Sequence, residues 1–210
     1  MNTSYGLFIT LDGPNGVGKS TIMGDLCKKL TSQGFETYKT REPTDSLIGD
    51  FLRKSEEKYR GKTLACIAAT DRYYHIEHEI LPALQKKKIV LSDRYVESSL
   101  VLQRIDDVDL EFIWEINKNV IIPDLSVILL ASPDTLNKRL NLRSDGSFFE
   151  RKKTARKDEL DYYRQAAEFL EKQGFNVYVL DNESTSIEEN SESITKRIVD
   201  LYNQSGEGLT

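Results

Sequence analysis

A glycine-rich stretch joins an apolar run to a segment with helical spacing near the start of the chain. The apolar run is Leu7–Leu11, and residues 13–20 follow it as Gly-Pro-Asn-Gly-Val-Gly-Lys-Ser. Glycines let a backbone wrap closely around a group, and the N–H groups that begin a helix carry partial positive charge. A strand, a tight loop and a helix in this order favour an α/β fold whose loop holds an anion such as phosphate.

The spacing within this loop matches the Walker A pattern of proteins that bind nucleoside triphosphates. We expect Lys19 to reach the β- and γ-phosphates and Ser20 to place its hydroxyl on Mg²⁺. The strand before the loop and the helix after it favour this interpretation over a chance glycine-rich turn. The residues expected to contact ATP are Gly13, Asn15, Gly16, Val17, Gly18, Lys19, Ser20 and Thr21.

Short apolar runs alternate with longer helical patterns along the rest of the chain, which is typical of βαβ units and a parallel sheet. We therefore predict a P-loop NTPase fold of the α/β class, with a five-stranded parallel sheet flanked by helices. Residues 1–204 are expected to form a single domain, and residues 205–210 a flexible tail. The predicted strands are Leu7–Leu11, Phe35–Lys39, Lys88–Ser92, Leu125–Leu130 and Asn176–Leu180, and the main predicted helices are Thr21–Leu30, Lys62–Gln85 with a kink or an end at Pro82, and Ile187–Tyr202.

An acidic residue and a basic residue end the third apolar run. Asp93 and Arg94 follow Ile89–Ser92 directly, and strand ends in an open parallel sheet face the ligand crevice. Asp93 resembles a Walker B acid and is expected to orient Mg²⁺ or its water shell, while Arg94 can bind phosphate through two donors. The alternative is a surface turn pair. The predicted metal ligands are thus Ser20 and Asp93.

A basic stretch lies between about residues 142 and 157. One interpretation is the solvated start of a helix, and the other is a small lid that closes over phosphates. The residues alone do not separate the two. The stretch contains Arg143, Arg151, Lys152, Lys153, Arg156 and Lys157.

The overall charge gives no reason to expect binding to nucleic acid or to an anionic membrane. Lys and Arg number 29 against 34 Asp and Glu, a net charge of −5. No apolar run approaches the ~18 residues that a membrane span requires. The first residues lack the basic and then apolar pattern of a secretion signal, so we expect a cytoplasmic protein with neither nucleic-acid nor membrane partners.

Two other short patterns receive structural interpretations. His75 and His78 could share a helix face and bind a metal, but an exposed helix face is favoured because no further His or Cys signal accompanies them. The run from Asn117 to Val120 superficially resembles a guanine-reading motif, yet its last position is Val and no clear strand precedes it. We interpret it as the end of a helix.

Taken together, these segments resemble the thymidylate kinase family of nucleoside monophosphate kinases, from about Tyr5 to Tyr202. The block from Asp93 to Gln103 is the most specific part of the resemblance. The segments that carry it are the phosphate-binding loop with Phe8–Asp12, Thr40-Arg41-Glu42-Pro43, Ala68-Ala69-Thr70-Asp71-Arg72, Asp93-Arg94-Tyr95-Val96-Glu97-Ser98-Ser99, Gln103, and Pro123-Asp124-Leu125.

The resemblance implies a role for each matching residue. Arg94 corresponds to the arginine that holds the 5′-phosphate of the acceptor, and Arg72 to one that contacts its base. Arg139 falls near the donor adenine, and the lid is expected to supply a catalytic cation, for which Arg143 and Arg151 are both candidates. The implied acceptor-binding set is Asn15, Arg41, Glu42, Pro43, Ala68, Arg72, Arg94, Ser98, Ser99 and Gln103, and the implied catalytic set is Lys19, Asp93, Arg94, Arg143 and Arg151.

Two residues depart from the family pattern, and both fall in the acceptor pocket. Asn15 stands where an acidic residue is usual, and Ala68 stands where an aromatic ring usually stacks on the base. The loss of a ring is not trivial, because stacking contributes about 1–3 kcal/mol per base. These residues leave open whether the pocket is that of an ordinary thymidylate kinase or has been retuned for a larger base.

The function expected from the resemblance is transfer of the γ-phosphoryl of ATP, with Mg²⁺, to a deoxynucleoside monophosphate, with dTMP as the first expectation. A purine or modified nucleoside monophosphate is the alternative acceptor. A nucleotide-binding switch module without a small acceptor is the alternative from another class, although it gives Arg41, Arg72 and Arg94 no shared purpose. The resemblance also implies a homodimer.

Overall fold

Five parallel strands form the centre of the molecule, as predicted. The computed structural model describes residues 6–141 and 156–206. The strands lie in the order β2-β3-β1-β4-β5, and all neighbours pair in parallel. They are β1 (Phe8–Asp12), β2 (Thr37–Arg41), β3 (Ile89–Asp93), β4 (Leu125–Leu130) and β5 (Val177–Asp181).

Most strands begin and end slightly later than the apolar runs predict. The ladders continue into Asp12, Arg41 and Asp93, because polar residues pair through their backbone as well as apolar ones do. Hydrophobicity marks only the apolar part of each strand. The polar residues that it misses lie together at the carboxyl edge of the sheet, where ligands bind in this class of fold.

Helices cover both faces of the sheet. One core contains alternate strand residues such as Ile9 and Leu11, packed by helices from the two ends of the chain. The other core contains Phe8, Val90 and Ile128. The helices are α1 (Lys19–Ser32), α2 (Leu47–Ser55), α3 (Gly61–His75), α4 (Leu81–Gln85), α5 (Val96–Ile105), α6 (Leu110–Glu115), α7 (Pro133–Asn141), α8 (Arg156–Lys172) and α9 (Ile187–Gly206).

The irregularity predicted at Pro82 lies just before that residue. A π-helical turn, Ile76–Ile80, connects α3 to α4, and the chain stays helical as far as Gln85. Proline lacks an N–H group, and its ring clashes with the carbonyl of an ordinary preceding turn. The wider π turn accommodates the ring, so the helix changes its winding here and does not end.

The two segments predicted to be mobile fall largely outside the described residues. Residues 142–155 of the predicted lid are outside, and the backbone of the last two lid residues already belongs to α8. The first two residues of the predicted tail belong to α9, which continues to Gly206, the first glycine after its start. Across the described ranges, no helix has the length and apolar composition needed to span a membrane.

Two helical glycines provide a matched test of packing. An added Cβ at Gly49 in α2 would lie 2.0 Å from the carbonyl oxygen of Thr44, whereas one at Gly24 in α1 would meet nothing within 4 Å. We expect Gly24→Ala to raise the free energy of unfolding by about 0.5–1 kcal/mol, since alanine restricts the unfolded chain. Gly49→Ala should lower it by about 1–3 kcal/mol through overpacking. Urea titration of both variants measures this difference, and equal effects would contradict the packing described for α2.

Candidate active site

Two adjoining cavities open at the carboxyl edge of the sheet. The phosphate cavity, of about 260 Å³, lies over the glycine-rich loop and is lined by Asn15, Gly16, Gly18, Lys19, Ser20, Arg41, Glu42, Pro43, Arg53, Asp93 and Arg94. The acceptor cavity, of about 280 Å³, continues from it and is lined by Asn15, Glu42, Pro43, Leu52, Arg53, Glu56, Leu64, Ala68, Arg72, Arg94, Ser98, Ser99, Leu102 and Gln103. Arg94 and Asn15 belong to both and mark their boundary.

The glycine-rich loop has a backbone that other residues could not easily adopt. Gly13 and Gly18 have φ angles of 140° and 107°. A Cβ at Gly13 would lie 2.3 Å from the carbonyl oxygen of Leu129. The loop is therefore pressed against β4 and can take this shape only with glycine at these positions.

Two side chains brace the back of this loop. Asn182 Nδ2 donates to the carbonyl oxygen of Val17, and Arg139 donates to the same oxygen at 3.2 Å and to the Asn182 carbonyl oxygen at 3.0 Å. Arg139, predicted to lie near adenine, thus supports the loop. Val17 itself is buried, so its predicted contact with ATP involves the backbone only. Asn182 was not predicted, and no local motif in the sequence marks it.

Lys19 lies inside the phosphate cavity. Its Nζ donates to the carbonyl oxygens of Gly13 at 2.7 Å and Pro14 at 3.1 Å. Burial, and then the charge of Arg94, lower the pKa of Lys19 to about 8. A bound polyphosphate would favour the charged ammonium, which is the role that the sequence predicts for this residue.

Ser20 and Asp93 lie side by side, as a shared metal site requires. The hydroxyl of Ser20 donates to Asp93 Oδ2 at 3.4 Å. The other carboxylate oxygen, Oδ1, is buried and has no partner within the described ranges. This oxygen can still accept a ligand, and it lies next to a hydroxyl and to the N–H groups of the phosphate-binding loop. The arrangement fits a Mg²⁺ ion held by one carboxylate and by phosphates.

Arg94 lies at the boundary of the two cavities. Its guanidinium donates to Asn15 Oδ1 and, at 3.0 Å, to the hydroxyl of Ser98, and it lies 3.7 Å from Asp12 Oδ1. Its φ angle of 79° is unusual for a residue with a side chain. Such strain costs on the order of 1–3 kcal/mol and persists where surrounding contacts fix the conformation.

Asp12 faces the guanidinium of Arg94 and connects the elements around it, although the sequence did not single it out. Its fully buried carboxylate accepts from the N–H of Gly13 at 2.7 Å, from the hydroxyl of Ser98 at 2.8 Å and from the phenol of Tyr163 at 2.9 Å. One carboxylate therefore joins the glycine-rich loop, α5 and α8, and it faces Arg94. A signal for it was present, since Asp12 directly follows an apolar run and directly precedes the glycine-rich loop.

Arg72 forms the floor of the acceptor cavity and is already fully paired. It donates twice to Glu42 Oε2, at 2.8 and 3.1 Å, once each to Ser99 and Asn117, and once to the carbonyl oxygen of Tyr95. These five bonds use all five N–H donors of a guanidinium. The predicted contact of Arg72 with the base would require one of them to be exchanged. The helix end at Asn117, which seemed to have only a structural role, helps to hold this arginine.

Glu42 receives a second buried partner from α3. His75 is fully buried, with Nδ1 at 3.2 Å from Glu42 Oε1 and Nε2 at 2.8 Å from the hydroxyl of Thr40. The interpretation of His75 as part of an exposed helix face was wrong; only His78 is exposed. Burial opposes ionisation of Glu42, but Arg72 and His75 hold its pKa below its ordinary value. No group of three His, Cys, Asp or Glu residues in the described ranges could hold a metal.

The remaining wall of the acceptor cavity is aliphatic. Leu52, Leu64 and Ala68 pack together in a small cluster that faces the cavity. Gln103 is buried on another part of the lining, and its Oε1 has no partner among the residues that the structure describes. The cavity therefore combines an apolar wall with a buried amide, a pairing suited to a flat heterocycle.

The other predicted residues occupy varied positions. Arg41 lines the phosphate cavity and is paired with Asp45 at 2.5 Å, while Thr21 is exposed and lines neither cavity. Arg143 and Arg151 lie outside the described residues. Arg53 was missed by the sequence analysis, although it lines both cavities and donates to the carbonyl oxygen of Pro43 at 2.9 Å.

Comparison with known proteins agrees with this geometry. A sequence model described as "Thymidylate kinase" matches residues 11–194. A protein of Caldivirga maquilingensis named "Probable thymidylate kinase" is 37% identical over 149 residues, which cover 69% of this chain and 73% of the relative. Proteins with the same name from Pyrobaculum aerophilum and Archaeoglobus fulgidus are 32% and 31% identical over 197 and 199 residues, covering 91% and 94% of this chain and 97% of each relative. The chain belongs to the thymidylate kinase family of ATP-dependent nucleotide kinases.

Proposed function

We propose that the protein transfers the γ-phosphoryl group of ATP to dTMP and releases dTDP and ADP. The observation that carries this proposal is the position of Arg94, which lies between a phosphate-binding loop and a second cavity of nucleotide-base dimensions. A switch module would need only the first cavity. The printed names of the relatives support dTMP as the acceptor.

The reaction requires the two phosphates to meet at this boundary. An oxygen of the acceptor 5′-phosphate forms a bond to the γ-phosphorus, and the bond from that phosphorus to the β–γ bridging oxygen breaks, so ADP leaves. Catalysis of such a transfer is mostly positioning and charge stabilisation. Lys19 and the loop N–H groups bind the donor, while Arg94 and Arg53 bind the acceptor phosphate. Arg41 adds positive charge at the rim.

Mg²⁺ fits beside Ser20 and Asp93, which would hold it. When bound, the ion neutralises charge on the β- and γ-phosphates. Asp93 contributes a fixed carboxylate whose orientation is set by its place at the end of β3. The lid is proposed to supply the catalytic cation, with Arg143 and Arg151 as its two candidates.

The acceptor base would lie against the aliphatic wall. Ser99 and Gln103 supply polar groups on one side, and Ala68 leaves room on the other. Asn15 is neutral and donates or accepts hydrogen bonds, so it can meet the sugar hydroxyl without charge. We also propose a homodimer, supported by the exposure of the large apolar residues Leu47 and Phe51 on α2.

A screen of nucleoside monophosphates with Mg-ATP tests the proposal directly. We expect ADP release to be stimulated most strongly, in kcat/KM, by dTMP. Absence of stimulation by any monophosphate would overturn the kinase proposal and favour a nucleotide-binding switch module. Stimulation only by purine monophosphates would leave the kinase intact and overturn the thymidylate part.

Replacement of Arg94 separates the two substrates. Arg94→Ala should reduce kcat/KM for the acceptor by on the order of 10²-fold, since it removes a charged contact to phosphate. ATP affinity, measured by calorimetry, should stay within about twofold because the loop donors remain. Arg164→Ala, a change of the same type at an exposed position of α8, is the control. An unchanged acceptor KM and kcat in Arg94→Ala would refute the assignment.

Ala68→Phe tests the base end of the cavity. If dTMP is the acceptor, an added ring should improve its kcat/KM several-fold, because stacking contributes about 1–3 kcal/mol per base. Ala68→Leu fills similar space without a π face and should give no comparable gain. If Ala68→Phe instead blocks turnover of the best acceptor from the screen, that acceptor needs the space that alanine leaves.

A further inference from the structure

Glu97 is a buried acidic residue that the proposed reaction does not use. It lies in the first turn of α5, and its side chain is fully buried. Oε1 accepts a hydrogen bond from the hydroxyl of Thr10 at 2.6 Å and another from the hydroxyl of Ser126. The carboxyl group therefore joins α5 to β1 and β4, directly beneath the glycine-rich loop.

The second oxygen of this carboxyl group is unsatisfied. Oε2 is buried and has no hydrogen-bond partner within residues 6–141 and 156–206. A buried anionic oxygen without a donor is far more costly than a neutral hydroxyl in the same place. The geometry therefore favours a carboxyl group that retains its proton on this oxygen.

The charged neighbours of Glu97 offer it no compensating cation. Arg94 faces Asp12, and Arg72 is paired with Glu42. If Glu97 were ionised, it would thus be a buried carboxylate without an arginine to pair with. The titratable groups that interact with it are Asp12 from β1, Tyr95 from the loop before α5, and Arg72 from α3, which is paired with Glu42. Arg94 and Tyr163 contact Asp12.

Asp12 and Glu97 are both connected to β1, because Asp12 ends this strand and Glu97 accepts a hydrogen bond from Thr10 within it. Thr10, which binds Glu97, and Asp12 lie two residues apart on β1 and so project from the same face. Ser98, next to Glu97 in the chain, donates to Asp12. Burial, and then the negative charge of Asp12, raise the pKa of Glu97 to about 7, against smaller opposing effects of the Ser126 and Thr10 hydroxyls.

We propose that Glu97 is a positioning residue that carries a proton in the active enzyme and keeps Asp12 in place against Arg94. As a neutral acid it holds β1, β4 and α5 together beneath the loop. Loss of the proton to solvent places a second negative charge beside Asp12. The repulsion displaces Asp12 from the hydroxyl of Ser98, which donates to Asp12 and accepts from Arg94. Acceptor use should then decline, because the guanidinium of Arg94 loses the carboxylate that it faces.

The kinetic test compares the wild type with Glu97→Gln, in which a neutral amide replaces the protonated acid. The ratio of wild-type to variant kcat/KM for the acceptor should fall on the order of tenfold between about pH 6 and about pH 8.5, as a group with a pKa near 7 ionises. The acceptor phosphate and Lys19 titrate in both proteins, so their effects cancel in the ratio. Glu111→Gln, at an exposed position of α6, should show a constant ratio.

Two further measurements do not depend on catalysis. The folded pKa of about 7 lies above the ordinary value of 4.5, so the stabilisation from the protonated form is complete below the ordinary value and is lost as pH rises through the folded one. The melting temperature of the wild type should therefore fall relative to that of Glu97→Gln between about pH 4.5 and about pH 7 and level off above that. Infrared difference spectra of the wild type should show a protonated carboxyl C=O band that disappears as the pH rises through about 7.

The outcomes separate this proposal from the proposed function on which its kinetic part rests. The proposal would be overturned if neither the kcat/KM ratio nor the difference in melting temperature between wild type and Glu97→Gln changed with pH. It would also be overturned if no C=O band titrated near neutral pH. If Glu97→Gln fails to fold, the infrared titration of the wild type still decides whether the proton is present. If no acceptor is phosphorylated at all, the proposed function fails, while melting and infrared still test Glu97.

Discussion

The carboxylate of Asp12 is the contact on which the site depends. It ends β1, receives donors from the glycine-rich loop, α5 and α8, and faces the guanidinium of Arg94. A buried carboxylate is stable only when such donors surround it. The glycine-rich loop and the guanidinium of Arg94 thus share one anchor, the carboxylate of Asp12.

The sequence was sufficient to predict the architecture. The apolar runs predicted five parallel strands, and the spacing of Gly13, Gly18 and Lys19 placed the loop between β1 and α1. These features are local, since each depends on residues within one element and its neighbours. The strand ends were the exception, because Asp12 and Arg41 are polar residues held in the ladder by their backbone.

The support of the site could not be predicted in the same way. Asn182 and Tyr163 lie more than a hundred residues from the loop that they support, and nothing in their local sequence indicates a partner. The burial of His75 has the same origin, because its partners Thr40 and Glu42 come from β2 and the loop after it. Single-residue patterns show which chemistry is available, whereas hydrogen-bond partners are set by the packing of distant elements.

The saturation of Arg72 changes what mutagenesis of its partner can reveal. Glu42 lines both cavities and would ordinarily be regarded as a residue that contacts substrate. Among the residues that the structure describes, it is also the only carboxylate bonded to Arg72. Removal of one member of a buried ion pair commonly costs about 3–5 kcal/mol, because the other charge is left uncompensated. Inactivity of a Glu42 variant would therefore first report a collapsed cavity floor, and only a variant shown to retain its melting temperature could be interpreted as loss of a ligand contact.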